Sequence, residues 1–236
     1  MSTTIALVTG ANKGLGRETV RRLAGLGWRV FLAARDSTRG EAAVQELGAD
    51  NVEFLPLDVT SDASVIAAAD LVRERAGRLD VLINNAGIGA PPTHPEDTTA
   101  DEVRDVLDVN VLGAVRVTNA FLPLLRKAGN PRIVMVSSGM GSIAVTRDPR
   151  FAGMVPPMLA YPASKAALNM VTVQYAAGLD GIRVNAVDPG YTATDMTDNA
   201  GVQTVEEGTD AIIRLATVEA DGPTGGFFDR TGDVPW

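Results

Sequence analysis

The sequence predicts a doubly wound α/β fold: a parallel sheet with helices on both faces, a Rossmann fold in a single domain. Three observations predict it. Short apolar, β-branched runs recur along the chain with segments of helix length between them, and such strand–helix–strand repeats give a parallel sheet covered on both sides. The runs are nearly continuous in Val, Ile and Leu rather than alternating, as strands buried on both faces require. The 236 residues, 45% of them hydrophobic, suffice for one large α/β core.

The elements follow in order. "TTIALVT" is a strand that leads through a Gly-rich turn into the helical pattern "GRETVRRLAGLG". "WRVFLAA" and "RGEAAVQELG" form the second strand–helix pair, "VEFLPLDV" and "ASVIAAADLVRERAG" the third. "LDVLINNAG" is the fourth strand, and the loop "IGAPPTHPEDTT" after it ends at a capping box, Thr99 with Glu102, which opens the long stretch Thr99 to Lys127. "RIVMVSS" is the fifth strand. A second loop, Gly139 to Leu159, has too many breakers for a regular element throughout. Behind Pro156 and Pro157 comes a helix carrying Tyr161 and Lys165, then "IRVNAVDPG", a helix across Val205 to Ala216, and the terminal "GGFFDR". No tract resembles an interdomain linker and no repeat exceeds the strand and helix alternation, so residues 1–236 read as one domain. Loops after the carboxyl ends of parallel strands border the ligand crevice, which makes Gly139 to Leu159 a candidate substrate wall.

Composition excludes several functions. A net charge of -8 without a segregated basic patch argues against nucleic acid as a partner. With no cysteine there is no disulfide, no thiolate nucleophile and no thiol-based zinc site, which suits a reducing compartment. "MSTTIALVTGANKG" lacks the pattern of a signal peptide and no apolar run is long enough to cross a bilayer, so a soluble, cytoplasmic protein is expected.

"TGANKGLG" places Gly10, Gly14 and Gly16 between the first strand and the first helix. Absent side chains there let a pyrophosphate approach the helix N-terminus, where free N–H groups and the dipole favour anions. A tight turn with no ligand is the plainer alternative, and the place after strand one of a βαβ unit favours a dinucleotide. The second strand ends "FLAARDSTRG" with no carboxylate at its tip. Arg35, aided by Lys13 and Arg39, would attract a ribose 2′-phosphate that a carboxylate would repel, which favours NADP(H) over NAD. Asp36 weakens that argument, and Arg35 also reads as a solvated loop charge.

In "YPASK" a phenol, Tyr161, precedes an amine, Lys165, by four residues. Positions i and i+4 share a helix face, so the ammonium is expected near the hydroxyl, favouring its ionised form. Alone, the stretch reads more simply as a surface tyrosine beside a surface lysine.

The ordered set of motifs decides. "TGANKGLG", "LDV" (Leu57 to Val59), "NNAG" (Asn84 to Gly87), "VNVLG" (Val109 to Gly113), "VSS" (Val136 to Ser138), "YPASK" and "DPGYTATDM" (Asp188 to Met196) resemble the short-chain dehydrogenases/reductases in kind and order, over nearly the whole chain. "ARDSTRGEAAVQEL" and "EEGTDAIIRLATVEADGPTGGFF" are similar more narrowly to carbonyl reductases, which implies NADPH and a small-molecule carbonyl or alcohol substrate.

Carried over, the resemblance puts the reaction centre on Asn110, Ser138, Tyr161 and Lys165. It implies that Tyr161 exchanges a proton with the carbonyl oxygen and that Lys165 stabilises the phenolate and reaches the nicotinamide ribose. A free phenol, with a pKa of about 10, is otherwise a poor base near neutrality. Ser138 would polarise the carbonyl, and Asn110 would anchor a water linking Lys165 to solvent. The choice of Ser138 over Ser137 rests on the resemblance. Asn110 also reads as a structural group satisfying backbone atoms of a neighbouring strand. The cofactor is expected on Gly10, Asn12, Lys13, Gly14, Leu15 and Gly16; on Arg35 and Arg39; on Asp58, at the adenine ring, and Val59; on Asn84, Ala86 and Gly87; on Tyr161 and Lys165; and, at the nicotinamide end, on Pro189, Gly190, Thr192 and Thr194.

The segment from Ser138 to Tyr161 departs from the family, being longer than its usual connection and much shorter than the insertion in animal carbonyl reductases. That insertion accompanies a monomeric state, whereas many relatives pair the Tyr-bearing helix in dimers, so monomer and homo-oligomer both stay open. Two other functions compete. An NADP-binding sensor without turnover should show decay in its reacting groups, yet all four are present. A serine hydrolase would need a G-x-S-x-G elbow, which "SSGMGS" lacks, and would depend on the single histidine, His94, in an unrelated loop.

Overall fold

The computed structural model describes residues 3–151 and 157–236. Its elements run β1 (Ile5–Val8), α1 (Gly14–Gly25), β2 (Arg29–Ala34), α2 (Ser37–Leu47), β3 (Val52–Pro56), α3 (Asp62–Ala76), β4 (Val81–Asn84), α4 (Ala100–Leu107), α5 (Gly113–Leu125), β5 (Arg132–Val136), α6 (Ile143–Arg147), α7 (Ala160–Gly178), β6 (Arg183–Val187), α8 (Val205–Ala216) and β7 (Phe227–Phe228). Among the described residues the strands form one all-parallel sheet in the order β3-β2-β1-β4-β5-β6-β7. This is the doubly wound Rossmann-like fold that the sequence predicts.

Both parities of each central strand are buried, which explains the continuous apolar runs. Ile5, Leu7, Phe31, Leu82 and Met135 pack with Val72 of α3 and Phe121 of α5. The alternate residues Ala6, Val8, Leu32, Ile83 and Val134 pack with Leu23 of α1 and Ile212 of α8. Strand side chains point to opposite faces in turn, so one run feeds two cores. The chain winds from β1 outward through β2 and β3, then returns to pair β4 with the other side of β1. The reversal opens a crevice at the carboxyl ends of β1 and β4, where open α/β sheets bind ligands.

Two expectations are refined. The stretch Thr99 to Lys127 is not one helix: the capping box of Thr99 and Glu102 starts α4, a π-helical turn over Asp108–Leu112 follows, and α5 resumes at Gly113. The Gly113 N–H reaches back to the Asp108 carbonyl, five residues earlier, so the turn holds one extra residue. Apolar periodicity does not reveal a single inserted residue. Within the expected loop from Gly139 to Leu159, a 3₁₀ turn (Gly139–Gly141) and α6 interrupt the irregular chain; residues 152–156 of that loop, with Pro156, lie outside the described residues. None of the helices among the described residues is long and apolar enough to cross a membrane.

Candidate active site

The crevice is built first from the turn after β1. Gly10 takes a left-handed conformation (φ 62°), and a Cβ there would lie 2.8 Å from Ala86 Cα, so the turns after β1 and β4 touch directly. Two residues that the sequence reading missed lock this contact. The Thr9 hydroxyl accepts from the N–H groups of Asn85 and Ala86, both at 3.0 Å, and the Asn85 side-chain amide donates to the carbonyls of Thr9 (2.8 Å) and Gly10 (3.1 Å). A Cβ on Gly16 would strike Asn85 Nδ2 and Gly10 O at 2.6 Å, so this glycine serves the turn itself. Gly14, also left-handed (φ 54°), has only the Thr194 side chain nearby, 3.6 Å from where a Cβ would lie. Asn12 and Leu15 are half-buried beside it, and the Leu15 side chain packs where a Cβ on Gly208 would come within 2.8 Å.

The three cations expected at the second strand's end are held differently. Asp36 caps α2, accepting from the Arg39 N–H at 3.0 Å, and pairs with the Arg39 side chain at 3.5 Å. Lys13 pairs with Asp195 at 2.7 Å across the mouth of the crevice, both side chains being exposed. Arg35 is exposed and has no carboxylate ion-paired to it among the described residues; its charge acts on Asp58. The Asp58 carboxyl is held below its ordinary range, chiefly by the Thr60 N–H (3.0 Å), with the Thr60 hydroxyl (2.7 Å) and the charges of Arg35 and Arg116 assisting. Val59 is buried against Gly113, the first residue of α5.

The reaction-centre candidates converge at the carboxyl end of β5. Ser138 stands just past that strand, half-buried, its hydroxyl accepting from the Met140 N–H at 3.2 Å and near enough to Tyr161 to favour the ionised phenol. Ser137 points the other way: it is buried and donates to Asn169 Oδ1 of α7 at 2.5 Å. Lys165 is 5% exposed, and its ammonium donates to the Val136 carbonyl at 2.9 Å while lying 5.6 Å from the centre of the Tyr161 ring.

The expectation that Lys165 draws the phenol toward its ionised form is not met. Although Tyr161 shows part of its surface to the crevice, burial pushes its hydroxyl up to about 12; Asp188 adds to this, and the group that opposes it is Ser138. Burial likewise lowers Lys165 to about 8, with Asp188 favouring its charged form. An ammonium that sits over a ring and bonds a carbonyl does not offset the desolvation of the hydroxyl.

Asn110 is in the π-helical turn, 1% exposed. Its carboxamide accepts from the Ile88 N–H (2.8 Å) and donates to the Ile88 carbonyl and to Ser164 Oγ of α7, both at 3.0 Å. The side chain thus ties the turn after β4 to the Tyr-bearing helix, as the structural alternative for this residue anticipates. A Cβ on Gly87 would come within 3.2 Å of Asn110 Oδ1 and 3.6 Å of Lys165 Nζ, so the glycine keeps the space before them clear. Asn84 turns its amide into the core, to Thr118 Oγ1 (3.0 Å), which leaves only its backbone for the crevice.

The turn after β6 closes the far side. Gly190 is left-handed (φ 71°), and buried Thr192 donates to the carbonyls of Pro189 (3.0 Å) and Gly190 (3.2 Å). The segment after Ser138 is braced by an unforeseen partner, the residues following β7. Ser142 donates to the Pro235 carbonyl (2.6 Å), the Ala144 N–H to that of Trp236 (3.2 Å), and Trp236 stacks on Phe227 at 5.2 Å. A cavity of about 220 Å³ lies between this segment and the first turns of α7, lined by Met140, Ile143, Pro162 and Ala163 among others.

A dinucleotide fits these residues: a glycine turn feeds the N-terminus of α1, Arg35 stands beyond β2, and a glycine fronts Lys165. Comparison with known proteins agrees. Residues 4–204 match the family model described as short chain dehydrogenase. A (+)-neomenthol dehydrogenase of Arabidopsis thaliana is 35% identical, with 95% of each chain aligned. That alignment runs over 282 positions against 236 residues here, so the relative carries segments this chain lacks. The NADPH-bound carbonyl reductase from chicken fatty liver superposes with a TM-score of 0.88 at 32% identity, covering 100% of both chains. The 3-ketoacyl-(acyl-carrier-protein) reductase of Brucella melitensis, solved with NADH, does so with a TM-score of 0.83 at 27% identity over 96% of each chain. The chain therefore belongs to the short-chain dehydrogenases, oxidoreductases that bind a nicotinamide cofactor and act on small molecules.

Proposed function

We propose that the protein is an NADP(H)-dependent reductase of small carbonyl compounds, or the reverse alcohol dehydrogenase, with residues 1–236 acting as one catalytic domain. The observation that carries this reading is the convergence of Ser138, Tyr161 and Lys165, with Gly87 in front of the lysine. The cofactor supplies the hydride. Tyr161, protonated throughout the neutral range, serves as the acid that delivers a proton to the carbonyl oxygen. Ser138, beside Tyr161, presents its hydroxyl to the same oxygen and polarises it. Lys165 would bring a buried positive charge beside Tyr161 and, in this reading, hold the nicotinamide ribose. Asn110 holds the turn containing Ile88 against α7 and so keeps the floor of the crevice fixed. Arg35 takes the 2′-phosphate, with Lys13 joining it on leaving Asp195. A phenol that stays protonated near neutrality is available to donate in reduction, whereas alcohol oxidation requires it to lose that proton first.

The test is a panel of ketones, aldehydes and quinones assayed by NADPH absorbance and repeated with NADH. At least one carbonyl class should oxidise NADPH, with NADH poorer. Tight NADPH binding with no turnover on any member would instead favour a nucleotide-binding sensor, and ester cleavage without nucleotide would favour a hydrolase.

A further inference from the structure

We propose that Asp188 is a positioning residue of the reaction centre: its carboxylate ties the backbone beside Ser138 to the Gly190 turn and acts electrostatically on Lys165 and Tyr161. The inference rests on the reading that those residues carry the chemistry. Asp188 follows β6 directly, and its own N–H is held by the Phe228 carbonyl at 2.8 Å. One carboxylate oxygen accepts from the Gly190 N–H at 3.0 Å. The other lies 2.7 Å from where a Cβ on Gly139 would stand, close enough for the Gly139 N–H to stabilise the carboxylate's charge. A single side chain thus joins the loop that starts at Ser138 to the loop expected to hold the nicotinamide end.

Its charge matters because Lys165 is buried. A buried ammonium needs a counter-charge, and Asp188 is the group that favours the charged form of Lys165. The charged and titratable groups acting with Asp188 are Lys165 and Tyr161 of α7 and Asp229, just past β7. Burial and Asp229 raise the Asp188 carboxyl, while the two N–H groups and Lys165 oppose them. Removing the negative charge lowers both Lys165 and Tyr161, so any activity that needs both protonated is lost at lower pH.

Asp188→Asn keeps the shape, removes the charge and presents an amide donor to one of two N–H groups. The first measurement needs no turnover: ¹⁵Nζ resonances of the three lysines followed against pH. The Lys165 midpoint, near 8 in the wild type, should fall by about half a unit to one unit in Asp188→Asn and stay in Asp188→Glu. The alkaline limb of carbonyl reduction should move the same way, with kcat near neutrality down by about tenfold. Equal Lys165 midpoints in wild type and Asp188→Asn overturn the proposal, as does a lowered kcat with an unmoved alkaline limb. Should Asp188→Asn fail to fold, Gly139→Ala strikes the same carboxylate: a lower Lys165 midpoint and reduced kcat with unchanged NADPH affinity support the proposal, and wild-type values contradict it. A wild type without turnover would defeat the carbonyl reductase reading alone, because the lysine titration still decides this one.

Discussion

Tyr161→Phe is expected to lower turnover by about 10²–10⁴-fold, the usual contribution of a general acid, while leaving nucleotide affinity near that of the wild type. The substitution removes one hydroxyl and keeps the ring over which Lys165 lies, so packing and the buried ammonium are retained. Ser138 favours the ionised form of Tyr161, yet a phenol at about 12 remains fully protonated at neutral pH, ready to donate. Reduction should accordingly hold up well above neutrality as far as Tyr161 is concerned and fail first as Lys165 loses its proton near 8. Steady-state kinetics beside NADPH fluorescence titration checks this. Turnover within about tenfold of wild type would remove Tyr161 from the role of acid.

Arg35→Ala should weaken NADPH binding by about tenfold to a hundredfold and leave NADH nearly unchanged, since a hydrogen bond to a charged group contributes about 1.5–3 kcal/mol. Arg35 suits the role because Asp36, its neighbour, is turned away to cap α2 and pair with Arg39. Lys13 is the opposite case. It must leave Asp195 to meet a phosphate, so Asp195→Asn should tighten NADPH by about two- to fivefold, with little effect on NADH, as expected for an exposed ion pair. Added salt should narrow the NADPH advantage in the wild type. Equal loss of both nucleotides in Arg35→Ala would assign the residue to loop support.

The sheet was legible because its strands are apolar at both parities, a pattern that only a doubly covered sheet needs; the two cores fed by alternate residues of β1 and β2 are its direct expression. The positions of Gly10 and Ser138 followed from motif order. What escaped the sequence is long-range and polar. Thr9 and Asn85 sit 76 residues apart and read as ordinary strand-end residues until the turns after β1 and β4 touch. The π-helical turn around Asn110 adds one residue within an apolar run and leaves no trace in periodicity. The electrostatics of Tyr161 were misjudged because spacing along a helix gives proximity but not burial, and burial outweighs the neighbouring ammonium. The pairing of Lys13 with Asp195 joins residues 182 positions apart and could not be read from either motif alone.

The central claim, hydride transfer to a carbonyl carbon with proton delivery by Tyr161, is tested most directly by following an isotope. Wild-type protein and Tyr161→Phe would each be given NADPH deuterated on one face of the nicotinamide, together with a ketone from the active class, and the alcohol examined by NMR. The account predicts deuterium on the carbinol carbon from one nicotinamide face only, formed rapidly by the wild type and at least about a hundredfold more slowly by Tyr161→Phe. Alcohol that carries no label when each nicotinamide face is deuterated in turn, or that both proteins form at equal rates, would contradict it.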